Sequence, residues 1–302
     1  MSRRCGMAVA IALLMALATA GCGIGVGAEI GPVSLTVTRD YGSEPVAPAV
    51  RDGARESDTV MRVLDRNATI ETRYGGGFVE SIDGLSEAVR DGRRYDWFFY
   101  VNGVESPVGA ADFTLHGGEA IWWDYRDWSA APRVPAVVGA WPQPFASGYE
   151  GEEHPTWVEC EGGGGACSTA RDRLLSAGAT IRDEGSAIPV LVGPWARLRH
   201  DPAAALLEGG PQESGVFAEF ATSNRGWELV GLGEDGDSAR RFDAATGLVA
   251  ATRRYDGPPV WLVTGATAGA VRSAAALLDS ADLRDHYAVA TEGGEEVPLP
   301  LR

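Results

Sequence analysis

The stretch Tyr95-Asp96-Trp97-Phe98-Phe99-Tyr100-Val101-Asn102-Gly103 decides the fold of the first part of the chain. Its run of aromatic residues is typical of a β-strand, and the closing Asn-Gly dipeptide is the strongest short signal for a hairpin turn. Side chains alternate between the two faces of a strand, so both faces here are apolar. A sheet that is covered on one side needs only one such face, so the second apolar face requires an explanation.

The flanking sequence supplies the other elements of this domain. Val33, Leu35 and Val37 alternate with polar residues and predict a strand. Ser57 or Asp58 can cap a helix whose apolar side chains cluster at residues 60–64, and two further strands are predicted at residues 78–82 and 120–125. One helix among several strands predicts an α+β domain at residues 31–128, with a single mixed sheet covered on one face.

The N-terminus has the features of an export signal. Arg3 and Arg4 precede an apolar run at residues 7–17, which is shorter than the roughly 20 residues that cross a bilayer. The small residues before Cys22 resemble a lipobox, in which the cysteine is lipidated. We therefore predict a signal peptide at residues 1–21 and a lipidated tether at residues 22–30, which would anchor the protein on the extracytoplasmic face of the cell membrane. An ordinary cleaved signal with an incidental cysteine is the alternative.

Composition excludes several classes of function. The formal net charge of −16 disfavours binding to nucleic acid. The chain contains no lysine, which rules out Schiff-base chemistry, a Walker lysine and a Ser-x-x-Lys acyl-transfer centre. No Gly-x-Ser-x-Gly motif is present either. We therefore predict that the protein is not an enzyme and has no cofactor.

Two places in the sequence are candidates for metal binding. Cys160 and Cys167 bracket a glycine-rich loop, and in an exported chain they predict a disulfide, with a zinc site that includes His154 as the alternative. The acidic loop at residues 234–237 could bind calcium, but the spacing of an EF-hand is absent. We therefore predict no metal site.

The rest of the chain predicts a linker at residues 129–135 and an α/β domain of unassigned topology at residues 136–302. Two segments, at residues 190–220 and 261–290, both read as strand, helix and strand, with Pro194 at the first position of a helix. They suggest an old duplication. The glycine-flanked turn at residues 265–269 is interpreted as a tight turn with Thr267 as helix cap, and a phosphate site is the alternative. Arg197 and Arg199 are expected to pair with the chain's own acids, and a bound carboxylate is the alternative.

The first domain also resembles a known family. Residues 97–103 are followed by Val108-Gly109-Ala110, Asp112-Phe113, Gly117-Gly118-Glu119 and Trp122, and preceded by Gly77-Phe78-Val79. This order is similar to the transcobalamin C-terminal-like family, the small β-grasp-type module of cobalamin carriers. The resemblance covers roughly residues 33–125. It implies a β-grasp-like fold and a role in binding, with a corrinoid as candidate ligand.

From these observations we predict a membrane-anchored protein that binds a small ligand between its two domains and delivers it to a membrane transporter. The expected ligand-binding residues are the aromatic ones of the first domain, namely Tyr74, Phe78, Trp97, Phe99, Tyr100 and Trp122. Four alternatives stay open. The second apolar face could simply pack on the second domain, and the loop at residues 75–77 could be a plain hairpin loop. The protein could also be a structural or adhesive component of the envelope that uses its β-grasp module for protein contacts. An enzyme that acts on cell-wall material ranks last.

Overall fold

The aromatic stretch forms the strand Arg93–Val101 in the computed structural model, which describes residues 27–162, 164–182, 187–224 and 226–302. The predicted signal peptide and Cys22 lie outside the described residues. No helix in the described part of the chain is long and apolar enough to cross a membrane. The chain has the predicted α+β class, with many strands and few helices.

The described part of the first half, from residue 27 onward, contains nine strands and one α-helix. Their bounds are β1 (Glu29–Arg39), β2 (Glu44–Arg55), α1 (Val60–Asn67), β3 (Ile70–Arg73), β4 (Phe78–Ile82), β5 (Leu85–Ser86), β6 (Ala88–Arg90), β7 (Arg93–Val101), β8 (Val104–Glu105) and β9 (Ala120–Asp127). The main sheet has the order β2-β1-β9-β7-β6, with β8 on the end of β7, and only β1 and β9 run parallel. Strands β3, β4 and β5 form a separate small sheet. Strand β1 begins at Glu29, so the last two residues of the predicted tether belong to this strand.

Two local predictions can be compared with this part of the structure. Asn102 and Gly103 have φ values of 54° and 76°, and Val101 pairs with Val104, which confirms the hairpin. The helix cap was assigned wrongly. The hydroxyl of Thr59, rather than Ser57 or Asp58, accepts the N–H of Arg62 at the start of α1.

The second half contains a mixed six-stranded sheet and a separate three-stranded sheet. The bounds are β10 (Thr156–Cys160), α2 (Gly164–Ser176), β11 (Ile188–Pro194), α3 (Trp195–Leu198), α4 (Pro211–Ser214), β12 (Ala218–Ser223), β13 (Gly226–Leu232), β14 (Ser238–Arg241), β15 (Gly247–Arg253), β16 (Pro259–Gly265), α5 (Ala268–Ala276), α6 (Ser280–Leu283), β17 (Ala288–Glu292) and β18 (Glu295–Leu299). The six-stranded order is β10-β11-β16-β15-β17-β18, and β12, β13 and β14 form the other sheet. Helices α2 and α5 cover one face of the large sheet, and an apolar core lies between the helices and the sheet.

The two predicted strand–helix–strand units differ in the structure. The later unit exists as β16, α5 and β17, although β15 lies between its two strands. In the earlier unit the long helix is absent. The short helix α3 and a 3-10 helix (Ala204–Gly209) take its place, Pro194 ends β11, and β12 belongs to the other sheet. The structure therefore does not support a duplication.

The first half's main sheet is buried on both faces, which corrects the predicted single covered face. One face packs on α1 and the small sheet, around Leu35, Leu64 and Trp123. The other face carries Tyr100 and Trp122 and shares a core with side chains of the second half. Within residues 129–135, Ala131 and Val134 are fully buried in that shared core, so this segment is packed rather than an open connection.

Candidate functional site

An apolar cleft of about 330 Å³ opens between β4 and β7. Its walls include Phe78 and Val79 on β4, Trp97 and Phe99 on β7, and Trp123 on β9. A volume near 300 Å³ lies at the lower end of the range for small-molecule sites, which are usually apolar with a few fixed polar groups. The cleft is therefore large enough for a small ligand or for one part of a larger ligand.

Local packing holds the aromatic walls in place. The ring of Phe99 stacks on Trp123 with centroids 4.9 Å apart, because these residues are paired on neighbouring strands and point to the same face. The indole N–H of Trp97 donates to the carbonyl of Leu85 at 2.7 Å. These contacts fix the rings of the cleft, so little ordering of its walls is needed for binding.

Strand β7 has a gap along its outer edge, and the cleft lies in that gap. Strand β6 pairs with β7 only as far as Tyr95, and β8 pairs only from Tyr100 onward. In the described residues no strand pairs with the outer edge of β7 between these points. Residues 96–99 all line the cleft, although their side chains alternate between two faces. The cleft therefore lies against the strand's edge as well as its face.

The backbone groups that point into the gap follow from the pairing of β7 with β9. The N–H and C=O of Arg94 are bonded on the β9 side, to the hydroxyl of Ser129 and the N–H of Trp128, and the N–H of Asn102 is bonded there to Ala120. In an antiparallel pair this direction alternates from residue to residue. The odd-numbered residues of β7 therefore direct both backbone groups to the outer edge.

Two of these odd-numbered residues lie in the gap. The N–H of Trp97 donates to the Asp96 carboxylate at 2.8 Å. No hydrogen bond within the described part of the chain engages the N–H or the C=O of Phe99 on that edge. The cleft thus combines apolar walls with one unused donor and one unused acceptor.

Two carboxylates also line the cleft. Burial raises the pKa of Asp96, while Glu105 forms an ion pair with Arg133. In a protein with a net charge of −16, this lining disfavours an anionic ligand group.

The structure separates the six predicted ligand-binding residues into two groups. Phe78, Trp97 and Phe99 line the cleft, and Tyr74 lies beside it, 87% exposed, with its ring 6.4 Å from that of Phe78. Tyr74 belongs to a short 3-10 turn between β3 and β4, so the loop at residues 75–77 is a hairpin loop. Tyr100 and Trp122 lie on the opposite face of the sheet, buried in the core shared with the second half, and do not line the cleft.

The space between the two halves is filled by protein. The ring of Tyr287 packs edge-on against Tyr41, Tyr100 and Trp122, at centroid distances of 5.1 to 5.9 Å. A ligand between the domains, as predicted from the sequence, would have to displace this core. The second apolar face of β7 thus serves packing, which was the alternative explanation.

Buried Asp124 lies at the centre of this interface. Its carboxylate accepts the hydroxyls of Thr38 and Tyr287 and the N–H groups of Tyr41 and Gly42, at 2.6 to 3.0 Å. Burial nevertheless raises the pKa of Asp124 to about 6.

Other candidate sites have structural explanations. Cys160 and Cys167 form the predicted disulfide. No group of three or more His, Cys, Asp or Glu side chains within the described ranges could hold a metal ion. Glu234 and Asp235 in the acidic loop form ion pairs with Arg93.

The structure also shows the contacts of Arg197 and Arg199 and of the turn at residues 265–269. Arg197 pairs with Glu161 and Arg199 with Glu208, as expected. Thr267 caps α5 by accepting the N–H of Ala270, which confirms the tight turn.

Sequence reasoning missed two components of the cleft. Trp123 lines it instead of its neighbour Trp122, and alternation along the last strand could have separated the two residues by face. The gap in the edge pairing of β7 has no signal in the sequence, because it depends on where β6 begins and where β8 ends.

Comparison with known proteins found one family that is similar to the region of the cleft. Residues 57–127 match a domain family of unknown function, DUF4430. The match covers less than half of the chain and includes β4, β7 and β9, which carry the walls of the cleft. A search of curated proteins gave no match.

Proposed function

We propose that this protein is an exported, lipid-anchored binding protein that holds a small, largely apolar ligand in the cleft between β4 and β7. The observation that carries the proposal is the cleft itself, where three of the predicted ligand-binding residues, Phe78, Trp97 and Phe99, meet beside free backbone groups. Preformed apolar pockets with a few fixed polar groups are typical of ligand sites. The anchor on Cys22 would keep the ligand near a membrane transporter, and no catalytic role is proposed.

The candidate ligand is a corrinoid. Support comes from the order of motifs between residues 77 and 122 and from the match to DUF4430, a family that is associated with transcobalamin-like proteins. A cleft of about 330 Å³ would hold one edge of so large a macrocycle and leave the rest exposed. Binding by this cleft alone should therefore be modest in affinity.

The test is a calorimetric titration of the full chain in mild detergent with cyanocobalamin and cobinamide. We expect saturable heat for at least one of them and weaker binding after Phe78→Ala or Phe99→Ala. Tyr255→Ala is the matched control, because Tyr255 is an exposed aromatic side chain outside the cleft. No heat at concentrations on the order of tens of micromolar would reject the corrinoid.

The anchor is tested separately. Mass spectrometry of the protein purified from membranes should find an acylated Cys22 at the N-terminus, and Cys22→Ser should release the protein from the membrane fraction. An unmodified cysteine in membrane-extracted protein would reject the anchor.

A role in contacts with other envelope proteins is the second candidate, and one observation favours it. Tyr74, Phe78 and Val108 are exposed apolar side chains, and exposed apolar patches often mark interaction surfaces. In this case Tyr74→Ser should reduce co-sedimentation with purified cell envelopes, while corrinoid titrations of the wild-type chain stay flat.

A further inference from the structure

The gap in β7 presents a specific pattern of hydrogen-bonding groups to the cleft. The N–H and the C=O of Phe99 both point to the outer edge of the strand, and within the described residues neither forms a hydrogen bond with a neighbouring strand on that edge. In an antiparallel sheet the two groups of such a residue bond to one and the same partner residue. Phe99 therefore offers a donor and an acceptor, side by side, to whatever enters the cleft.

We propose that Phe99 recognises a primary carboxamide or a lactam of the ligand through these two backbone groups. Such an amide carries its C=O and an N–H on the same side. Its oxygen can accept the N–H of Phe99 while its nitrogen donates to the C=O of Phe99. The inference rests on the proposed function for the position of the site, the cleft, and adds the chemistry of the ligand group.

The surroundings select this group over other polar ones. A carboxylate would meet the C=O of Phe99 together with Asp96 and Glu105, so it would be repelled. An ester has no N–H to donate, and an ammonium group has no acceptor for the N–H of Phe99. Only a neutral group with both functions satisfies the two backbone atoms, which are costly to leave unpaired once a ligand excludes water.

The aromatic walls define what the amide should be attached to. The rings of Phe99 and Trp123 stack on one side, and Trp97 and Phe78 complete the apolar lining. The ligand group next to the amide should therefore be apolar and flat, because such groups stack well on aromatic rings.

The test uses phenylacetamide as a probe and N,N-dimethylphenylacetamide as its matched control, which keeps the acceptor and lacks the N–H. Both are titrated into the full chain labelled with ¹⁵N-phenylalanine and held in detergent. The resonance of Phe99 is assigned by its loss in Phe99→Tyr. We expect phenylacetamide to shift the Phe99 amide resonance and to bind about tenfold more tightly than the dimethyl probe, which corresponds to ~1.4 kcal/mol.

Two variants separate the backbone from the ring. Phe99→Ala and Phe99→Pro both remove the ring, but only proline removes the N–H, and proline is tolerated where the N–H faces an open edge. Because both probes can accept the N–H of residue 99, we expect both variants to keep the preference for phenylacetamide, and the proline variant to bind both probes more weakly than the alanine variant. Should the proline variant fail to fold, the comparison of the two probes on the wild-type chain still decides.

Each outcome bears on the carboxamide proposal. Equal affinity of the wild-type chain for both probes, a proline variant that binds phenylacetamide as tightly as the alanine variant, or the absence of binding by either probe would overturn it. The corrinoid titration tests the cleft as a ligand site separately. Equal binding of both probes with shifts at Phe99 would leave the cleft in place as a site and reject only the recognition of a carboxamide.

Discussion

Tyr287 donates a hydrogen bond of 3.0 Å to the buried carboxylate of Asp124, across 163 residues of sequence. The hydroxyl of Tyr100 also lies 3.4 Å from that of Tyr287. Both pairs join the sheet of the first half to the second half inside a shared apolar core. The interface between the halves is therefore a structural core with a polar centre, and the cleft proposed as the ligand site lies on the opposite face of the first half's sheet.

Removing the hydroxyl of Tyr287 should destabilise the fold. In Tyr287→Phe the aromatic packing is kept, but Asp124 loses one of its hydrogen-bond donors while it stays buried. We expect a loss of about 1–3 kcal/mol in the free energy of unfolding, measured by urea denaturation. Tyr255→Phe, at an exposed tyrosine, is the control and should change stability little. A Tyr287→Phe variant as stable as the control would contradict the structural role of this bond.

The stability should also depend on pH through Asp124. Because burial raises the pKa of Asp124 to about 6 from its ordinary value of 3.8, the folded state holds the proton more tightly than the unfolded state. This contribution is fully present below pH 3.8 and is lost as pH rises through about 6. It amounts to at most about 3 kcal/mol.

The measurement compares the free energies of unfolding of the wild-type chain and of Asp124→Asn between about pH 4.5 and about pH 7.5. The amide does not titrate, so the difference between the two proteins isolates Asp124 from the other carboxyl groups with raised pKa values, such as Asp285. A difference that does not vary with pH would show that Asp124 keeps one charge state over this range.

Gly42 should tolerate no side chain. It has a φ of +86°, and a Cβ there would lie 1.8 Å from the backbone oxygen of Asp285 in the second half. Gly42→Ala should therefore cost about 3 kcal/mol or more, from overpacking and backbone strain together. Gly84→Ala is the matched control, because Gly84 has a φ of +80° and open space around it. Thermal unfolding of both variants checks this, and similar losses would mean that the two halves do not approach so closely.

The disulfide between Cys160 and Cys167 should contribute measurably to stability. It closes a short loop between β10 and α2, which corresponds to about 2–3 kcal/mol in the chain-entropy estimate. The double variant Cys160→Ser/Cys167→Ser should lose that amount in urea denaturation, and reduction of the wild-type chain should have the same effect. If the wild type behaves alike with and without reductant, the disulfide adds no stability.

Local signals in the sequence predicted local structure well. Asn102-Gly103 and Thr267 were placed correctly, because a type I′ turn and a helix cap depend on a few neighbouring residues. The helix predicted after Pro194 failed. Alanine and leucine are common in buried segments as well as in helices. In the structure the segment after Pro194 forms two short helical turns that pack in the shared core.

The site was predicted only in part for a related reason. The aromatic residues of β7 and β9 indicated that these strands carry a functional surface. They did not show which of the two apolar faces packs against the second half. Tyr100 and Trp122 were therefore grouped with Phe78, Trp97 and Phe99, although they do not line the cleft. That choice depends on contacts with residues as distant as Tyr287, which no local pattern contains.

The shared core has a consequence for how the chain reaches its native state. The inner face of β7 and β9 cannot be covered until Phe217 and Tyr287 have been synthesised and docked, although the strands that carry this face come early in the chain. Such late, long-range contacts slow folding and leave apolar surface exposed in the meantime. If the chain is exported as proposed, in order from its N-terminus, it would carry this aromatic face uncovered for most of its passage. Chaperones at the exit side would therefore be expected to meet the first half before its own partner does.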